Sequence, residues 1–129
     1  MTIFSKIIQG EIPCYKIIEN DDFIAFLDIN PLTTAHTLVV PKLEIDQFFQ
    51  MPHYLLQNIL LFAQPIAKAI EKVTNCNRCG ISVVGLEIPH AHLHLIPINH
   101  VTDANITKPK VVVTAKELLA TQQLIINAL

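Results

Sequence analysis

Three histidines stand at alternate positions of one apolar segment, Pro89-His90-Ala91-His92-Leu93-His94-Leu95-Ile96-Pro97-Ile98. On an extended strand successive side chains point to opposite faces. His90, His92 and His94 then share one face, and Ala91, Leu93 and Leu95 face a core. Folding does not ask for three imidazoles in such a run, because each brings two ring nitrogens that need partners. Two chemistries could use them. Alternating histidines can place imidazoles on a zinc ion and leave a position open for water. Alternatively, an unprotonated ring nitrogen can attack phosphorus and form a covalent phosphoramidate. Neighbouring imidazoles would then hold the non-bridging oxygens and protonate the leaving group. Histidine suits this second role because both of its protonation states are accessible near neutrality.

The elements that must position these residues can be read from the surrounding pattern. Thr2 suits the N-cap of a short helix over Ile3–Gln9, with Gly10 at its exit. Cys14–Glu19 and Phe23–Leu27 read as strands joined by a turn at Asn20-Asp21-Asp22. His36–Val40 reads as a third strand ended by Pro41. A long helix is expected from about Pro52 to Val73, where Leu55, Ile59, Phe62, Ile66, Ala69, Ile70 and Val73 step by three and four. Pro65 should kink or interrupt it. Ile81–Val84 and His90–Ile98 read as a hairpin around Gly85. A polar linker, Asn99–Lys110, leads to a last helix opened by the capping box Thr114-Ala115-Lys116-Glu117. Short connections between strands favour an antiparallel α+β arrangement over a parallel α/β sheet.

The chain has 129 residues, enough for one domain with one core. We read residues 1–98 as the core bearing the histidine strand and 99–129 as a linker and terminal helix. Hydrophobic residues make up 51% and charged residues 16%, which points to self-association as a homodimer. The formal net charge is −2 and no basic run occurs, so duplex nucleic acid is not an expected partner. No stretch reaches the roughly 18 apolar residues of a membrane span. The N-terminus lacks the pattern of a signal peptide, and three cysteines are too few for a disulfide framework. A cytoplasmic location is expected. Cys76-Asn77-Arg78-Cys79 has metal-ligand spacing but no second pair, and His53 and His100 read as surface residues.

The run His90-Ala91-His92-Leu93-His94-Leu95-Ile96 resembles the signature of the histidine-triad (HIT) family. Ile3-Phe4-Ser5-Lys6-Ile7-Ile8-Gln9-Gly10-Glu11-Ile12-Pro13 is similar to the same family's start. So are Ala25-Phe26-Leu27-Asp28-Ile29-Asn30-Pro31 and the following His36-Thr37-Leu38-Val39-Val40-Pro41-Lys42. The resemblance implies an α+β fold with a mostly antiparallel five-stranded sheet and packed helices. It implies a nucleotide hydrolase or transferase acting without a metal or other cofactor on a purine, AMP-like nucleotide. His92 would attack the α-phosphate. The backbone carbonyl of His90 would orient His92, His94 would donate to the phosphate or leaving group, and His36 would join this network. Asp28 would accept from the ribose hydroxyls, and Phe4, Ile7, Ile12, Phe26 and Ile29 would wall the base.

The chain also departs from that pattern. Many family members carry a Cys-x-x-Cys near the start that binds structural zinc with two histidines, where Thr2 and Ser5 stand here. A Gln common before the triad is replaced by Leu86, and an upstream Asn has no counterpart. The missing Gln and Asn motivate one rival reading, a non-catalytic nucleotide-binding or regulatory protein. A dinucleoside polyphosphate hydrolase is a second, because leaving-group preference lies outside the motif, and a zinc hydrolase using His90, His92 and His94 is a third.

Overall fold

The computed structural model describes residues 1–129, arranged as a five-stranded antiparallel sheet with three α-helices. The strands are β1 (Lys16–Glu19), β2 (Phe23–Leu27), β3 (Thr37–Pro41), β4 (Arg78–Ser82) and β5 (Leu93–Ile98), in the order β1-β2-β3-β5-β4. The helices are α1 (Ile3–Ile8), α2 (His53–Val73) and α3 (Ala115–Ala128). The α+β expectation holds.

The sheet separates two apolar layers, and the alternation along its strands decides which residue joins which. Phe23, Ala25 and Leu27 of β2 join Val39 of β3 and Leu93 and Leu95 of β5 in the main core under α2 and α3. Ile24 and Phe26, with Leu38 and Val40, join Phe4 of α1 in a smaller cluster on the other face. From α2, Leu55, Ile59, Ala63, Ile66, Ala69 and Ile70 are buried, so its apolar stripe falls where the three-four spacing puts it. Each of the buried leucines and isoleucines contributes about 1.5–3 kcal/mol when fully buried.

Local capping follows the sequence closely. Thr2 caps α1 by accepting from the Ser5 amide, and Gly10 follows with a left-handed φ of 81°. Thr114 caps α3 by accepting from the Glu117 amide. The Asn20 side chain accepts from the Asp22 and Phe23 amides and closes the β1–β2 turn.

Several expectations need correction. Helix α2 runs unbroken through Pro65, which lies on its exposed side. The residue one turn earlier, Leu61, is 66% exposed, so the carbonyl that loses its bond faces water. The first strand begins at Lys16 rather than Cys14, and the third at Thr37 rather than His36. The expected hairpin forms, but from Arg78–Ser82 rather than Ile81–Val84 and from Leu93 rather than His90, so a longer loop over residues 83–92 joins its strands. Pairing Thr37 with Leu95 and Val39 with Leu93 would bring Pro41 opposite Ala91. Proline has no N–H to give the ladder, so pairing stops there. The Ala91 amide instead donates to the Ile45 carbonyl at 2.7 Å.

Candidate active site

Although only His94 lies within β5, the alternating pattern continues through the irregular segment before it. Ala91, Leu93 and Leu95 are buried in the main core, and His92 and His94 emerge on the opposite face. They open into a cleft of about 470 Å³, within the range of small-molecule sites. Asp28, His36, Phe4, Ile7, Ile12, Phe26 and Ile29 also line it. His90 does not line this cleft. It is fully buried behind His92.

The hydrogen bonds assign a proton to each ring, starting from partners whose roles are fixed. The Pro41 carbonyl can only accept, so His90 Nε2 carries a proton and donates to it at 2.8 Å. His90 Nδ1 lies 2.7 Å from the Thr2 hydroxyl and accepts its proton. The His90 carbonyl lies 2.7 Å from His92 Nδ1, which donates to it. His92 Nε2 is therefore left as an unprotonated lone pair. On the far side, the Leu32 amide donates to His36 Nδ1 at 3.0 Å. His36 Nε2 then carries the proton and donates to His94 Nδ1 at 2.9 Å. His94 Nε2 retains the remaining proton as a donor. The cleft thus holds one imidazole lone pair and one imidazole N–H on adjacent rings, whose centroids are 5.0 Å apart.

Burial keeps the His36, His92 and His94 rings neutral. It lowers the proton affinity of His92 below the ordinary histidine value, against the opposing pull of the His90 carbonyl. It pushes His94 down to about 4 and His36 to about 3, with neighbouring positive charge adding to the effect. Asp28 moves upward, chiefly through burial. Its carboxylate accepts from the Asn30 amide at 2.9 Å and lies 3.7 Å from His36 Nε2. His36 is turned into this network by Ala35, whose φ of 75° is left-handed.

The position of Thr2 and Ser5 carries a hydrogen-bonded cluster. Ser5 donates to Glu44 at 2.6 Å, the Thr2 amide donates to the same carboxylate at 2.9 Å, and Thr2 meets His90. Two hydroxyls, one carboxylate and an imidazole with both nitrogens engaged do not fit a tetrahedral zinc site. Nor do His90, His92 and His94 converge on one point, because both His90 nitrogens face other partners. The zinc-hydrolase reading fails on that geometry. Asp28, His36 and His94 place ligand atoms within 4.8 Å of one another. A cation there would have to break the His36–His94 hydrogen bond. The Cys79 thiol is pushed up to about 12, mainly by burial, and so is not a ready thiolate.

Residues 9–101 match the HIT domain. The chain belongs to the HIT family. It is 38% identical over 96 residues to adenosine 5′-monophosphoramidase HNT1 of Saccharomyces cerevisiae, a match spanning 74% of this chain and 61% of the relative. Against adenylylsulfatase HINT3 of Arabidopsis thaliana the identity is 35% over 100 residues, spanning 74% of this chain and 51% of the relative. In fold, this HIT protein is similar to the crystal structure of a HIT-like protein from Bartonella henselae. That comparison has a TM-score of 0.86 at 28% identity and covers 99% and 96% of the two chains.

Three cleft residues escape sequence reasoning. Ile106, Thr107 and Lys110 come from the segment read as a linker. A hydrogen bond from the Val111 amide to the Pro31 carbonyl, 2.9 Å, ties this segment to the loop that follows Asp28. No local pattern encodes that contact. Leu86 and Glu87 also line the cleft, and Leu86 is 89% exposed.

Proposed function

We propose that this HIT protein is a nucleotide hydrolase or transferase working through a nucleotidyl-His92 intermediate. The observation that carries this reading is the His92 ring. Its Nδ1 proton is committed to the His90 carbonyl, so its free lone pair faces the cleft. In the first half-reaction His92 Nε2 attacks the α-phosphorus as the bond to the leaving group breaks. The His94 Nε2 proton stabilises a phosphoryl oxygen or passes to the leaving group. In the second, water attacks phosphorus as the bond to His92 Nε2 breaks. The water's released proton returns to His94 Nε2 where that nitrogen protonated the leaving group, or passes to solvent where the leaving group departed as an anion. The nucleoside monophosphate departs and His92 regains its lone pair. The two enzymatic relatives differ in leaving group by their names, so a purine nucleotide carrying either an amine or an acidic leaving group belongs in the test.

That test is turnover of adenosine 5′-phosphoramidate and of diadenosine polyphosphates. AMP release from the phosphoramidate is the expected result. Turnover of the polyphosphates alone would favour the rival hydrolase. Tight AMP binding without any turnover would favour a binding protein, the reading to which the donor-poor Leu86-Glu87 segment points.

In this reading Phe4, Ile7, Ile12, Phe26 and Ile29 enclose the base and Asp28 accepts from the ribose. Changing Asp28 to Asn preserves shape and the acceptor for Asn30 but removes the charge. Charge-assisted hydrogen bonds contribute roughly 1.5–3 kcal/mol. Nucleotide affinity should fall about 10-fold, with the far-ultraviolet circular dichroism unchanged. Calorimetry with AMP checks this, and an unchanged affinity would remove Asp28 from the site.

The protein also acts as a homodimer in this reading. Strand β4 is a sheet edge carrying exposed Ile81, followed by exposed Val83 and Val84. Leu60 and Leu61 of α2 are exposed too. Covering such an edge with a second copy removes unpaired backbone groups and apolar surface from water. Light scattering should give twice the chain mass, and a concentration-independent monomer would refute the dimer. No helix is long and apolar enough to cross a membrane.

A further inference from the structure

The peptide unit between His90 and Ala91 is bonded at both ends. Its carbonyl accepts from His92 Nδ1 at 2.7 Å and so fixes which nitrogen of that ring keeps the lone pair. Its N–H donates to the Ile45 carbonyl, also at 2.7 Å. No strand ladder holds this unit, because β5 begins only at Leu93. It is held instead by the His90 ring on one side and by the segment after β3 on the other.

The Glu44 side chain joins these two supports. Its carboxylate accepts from the Ser5 hydroxyl at 2.6 Å and from the Thr2 amide at 2.9 Å, contacts that hold its carboxyl below the usual carboxylate range. Near neutrality it is ionised and can only accept. The Thr2 hydroxyl in turn accepts from the Ser5 amide at 3.0 Å and gives its own proton to His90 Nδ1 at 2.7 Å. The other His90 nitrogen donates to the Pro41 carbonyl. A fully buried ring thus has both nitrogens bound, and one of those bonds depends on α1. Helix α1 spans six residues, too few to hold itself in water. The Ser5 and Thr2 bonds to Glu44 fix its first turn against the segment that also carries Ile45. Phe4, from the same turn, packs edge-to-face on His90 and His92, with ring centroids 5.7 and 5.0 Å away. Removing the Glu44 carboxylate loosens Thr2, then the His90 ring, then the carbonyl that faces His92.

We propose that Glu44 is a positioning residue for the nucleophile: through Ser5 and Thr2 it holds the His90 ring, whose backbone carbonyl keeps the His92 lone pair on Nε2. This rests on the nucleotide reading and adds to it a side chain that does not line the cleft. Glu44 touches no reacting atom, so its effect falls on the chemical step and not on binding. A small turn of the nucleophile's ring is costly because attack needs its lone pair aimed at phosphorus.

Glu44 is exposed, so its replacement leaves the core intact. Turnover of adenosine 5′-phosphoramidate, AMP affinity by calorimetry and the ring-nitrogen NMR signals of His92 are compared in wild type, Glu44→Ala and Glu44→Gln. The alanine variant should lose about 10-fold in kcat, while KM and AMP affinity stay within about 2-fold. Its His92 should change from a single Nδ1–H tautomer to a mixture of the two. Glutamine keeps an acceptor oxygen and should restore most of both. A second pair, Thr2→Val and Thr2→Ser, reads the same link one step closer: valine should repeat the tautomer mixture, and serine, which keeps the hydroxyl, should reverse it. Wild-type kcat with a single His92 tautomer in Glu44→Ala would overturn the proposal. So would a fall in kcat with the tautomer unchanged, or a loss of AMP affinity as large as the loss of kcat. Absence of turnover in wild type would overturn the hydrolase reading, and the nitrogen signals would still decide whether Glu44 holds His92.

Discussion

Replacing His92 with alanine should lower kcat/KM by about 10⁴-fold or more, the scale on which removing a covalent nucleophile acts. The ring contributes little to the core. Its Nδ1 bond goes to a carbonyl that a water can satisfy, and its other nitrogen faces the cleft. The variant should therefore fold. AMP affinity should change by less than about 10-fold, because Asp28 and the apolar walls remain. A loss confined to turnover separates the nucleophile from a residue that only binds. If His92→Ala retained wild-type turnover, the phosphorus centre would be attacked by something else, and the reading of the triad would fall.

Acidification should destabilise the fold well before ordinary carboxylates titrate. His36 and His94 are buried as neutral rings and hold their protons only below about 3 and about 4, whereas an unfolded chain takes them up near 6.5. Between those values the unfolded state binds more protons, so stability falls as pH falls. The loss is about 1.4 kcal/mol per pH unit for each histidine. From pH 6.5 to 4.5 the two coupled rings give a loss on the order of 3–5 kcal/mol. That is comparable with the whole stability of a small domain. Asp28 opposes this lower in the window, because its raised proton affinity favours the folded state on protonation. Urea midpoints should be level above about pH 7 and drop steeply below 6. A midpoint unchanged from pH 7.5 to 4.5 would contradict the buried neutral pair. In the same account His92 needs its lone pair, and its lowered proton affinity keeps activity level to a pH below that of a free imidazole.

What the sequence made legible follows from whether a feature is local. Helix caps at Thr2 and Thr114 depend on residues three positions apart, and both form. The stripe of α2 depends on a three-four spacing, and it packs as spaced. The in-out alternation around His92 depends on two-residue periodicity, and it holds even where the ladder has ended. The strand's start was misplaced because it depends on Pro41, a residue of the neighbouring strand. Pro65 does not interrupt α2, because the backbone it deprives of a bond lies on the helix's exposed side. The distinct position of His90, behind the cleft, is set by contacts to Thr2 and Pro41 that are distant in the chain. Glu44, Ser5 and Lys110 escaped for the same reason.

The most direct measurement is to trap the intermediate. The protein is mixed with adenosine 5′-phosphoramidate, quenched in base to preserve a P–N bond, digested and examined by mass spectrometry. The account predicts an adenylyl adduct on the peptide carrying His92, absent from His92→Ala and lost on longer incubation as AMP appears. Turnover with no adduct on any peptide, and one-step incorporation of solvent oxygen with inversion at phosphorus, would contradict a nucleotidyl-His92 intermediate.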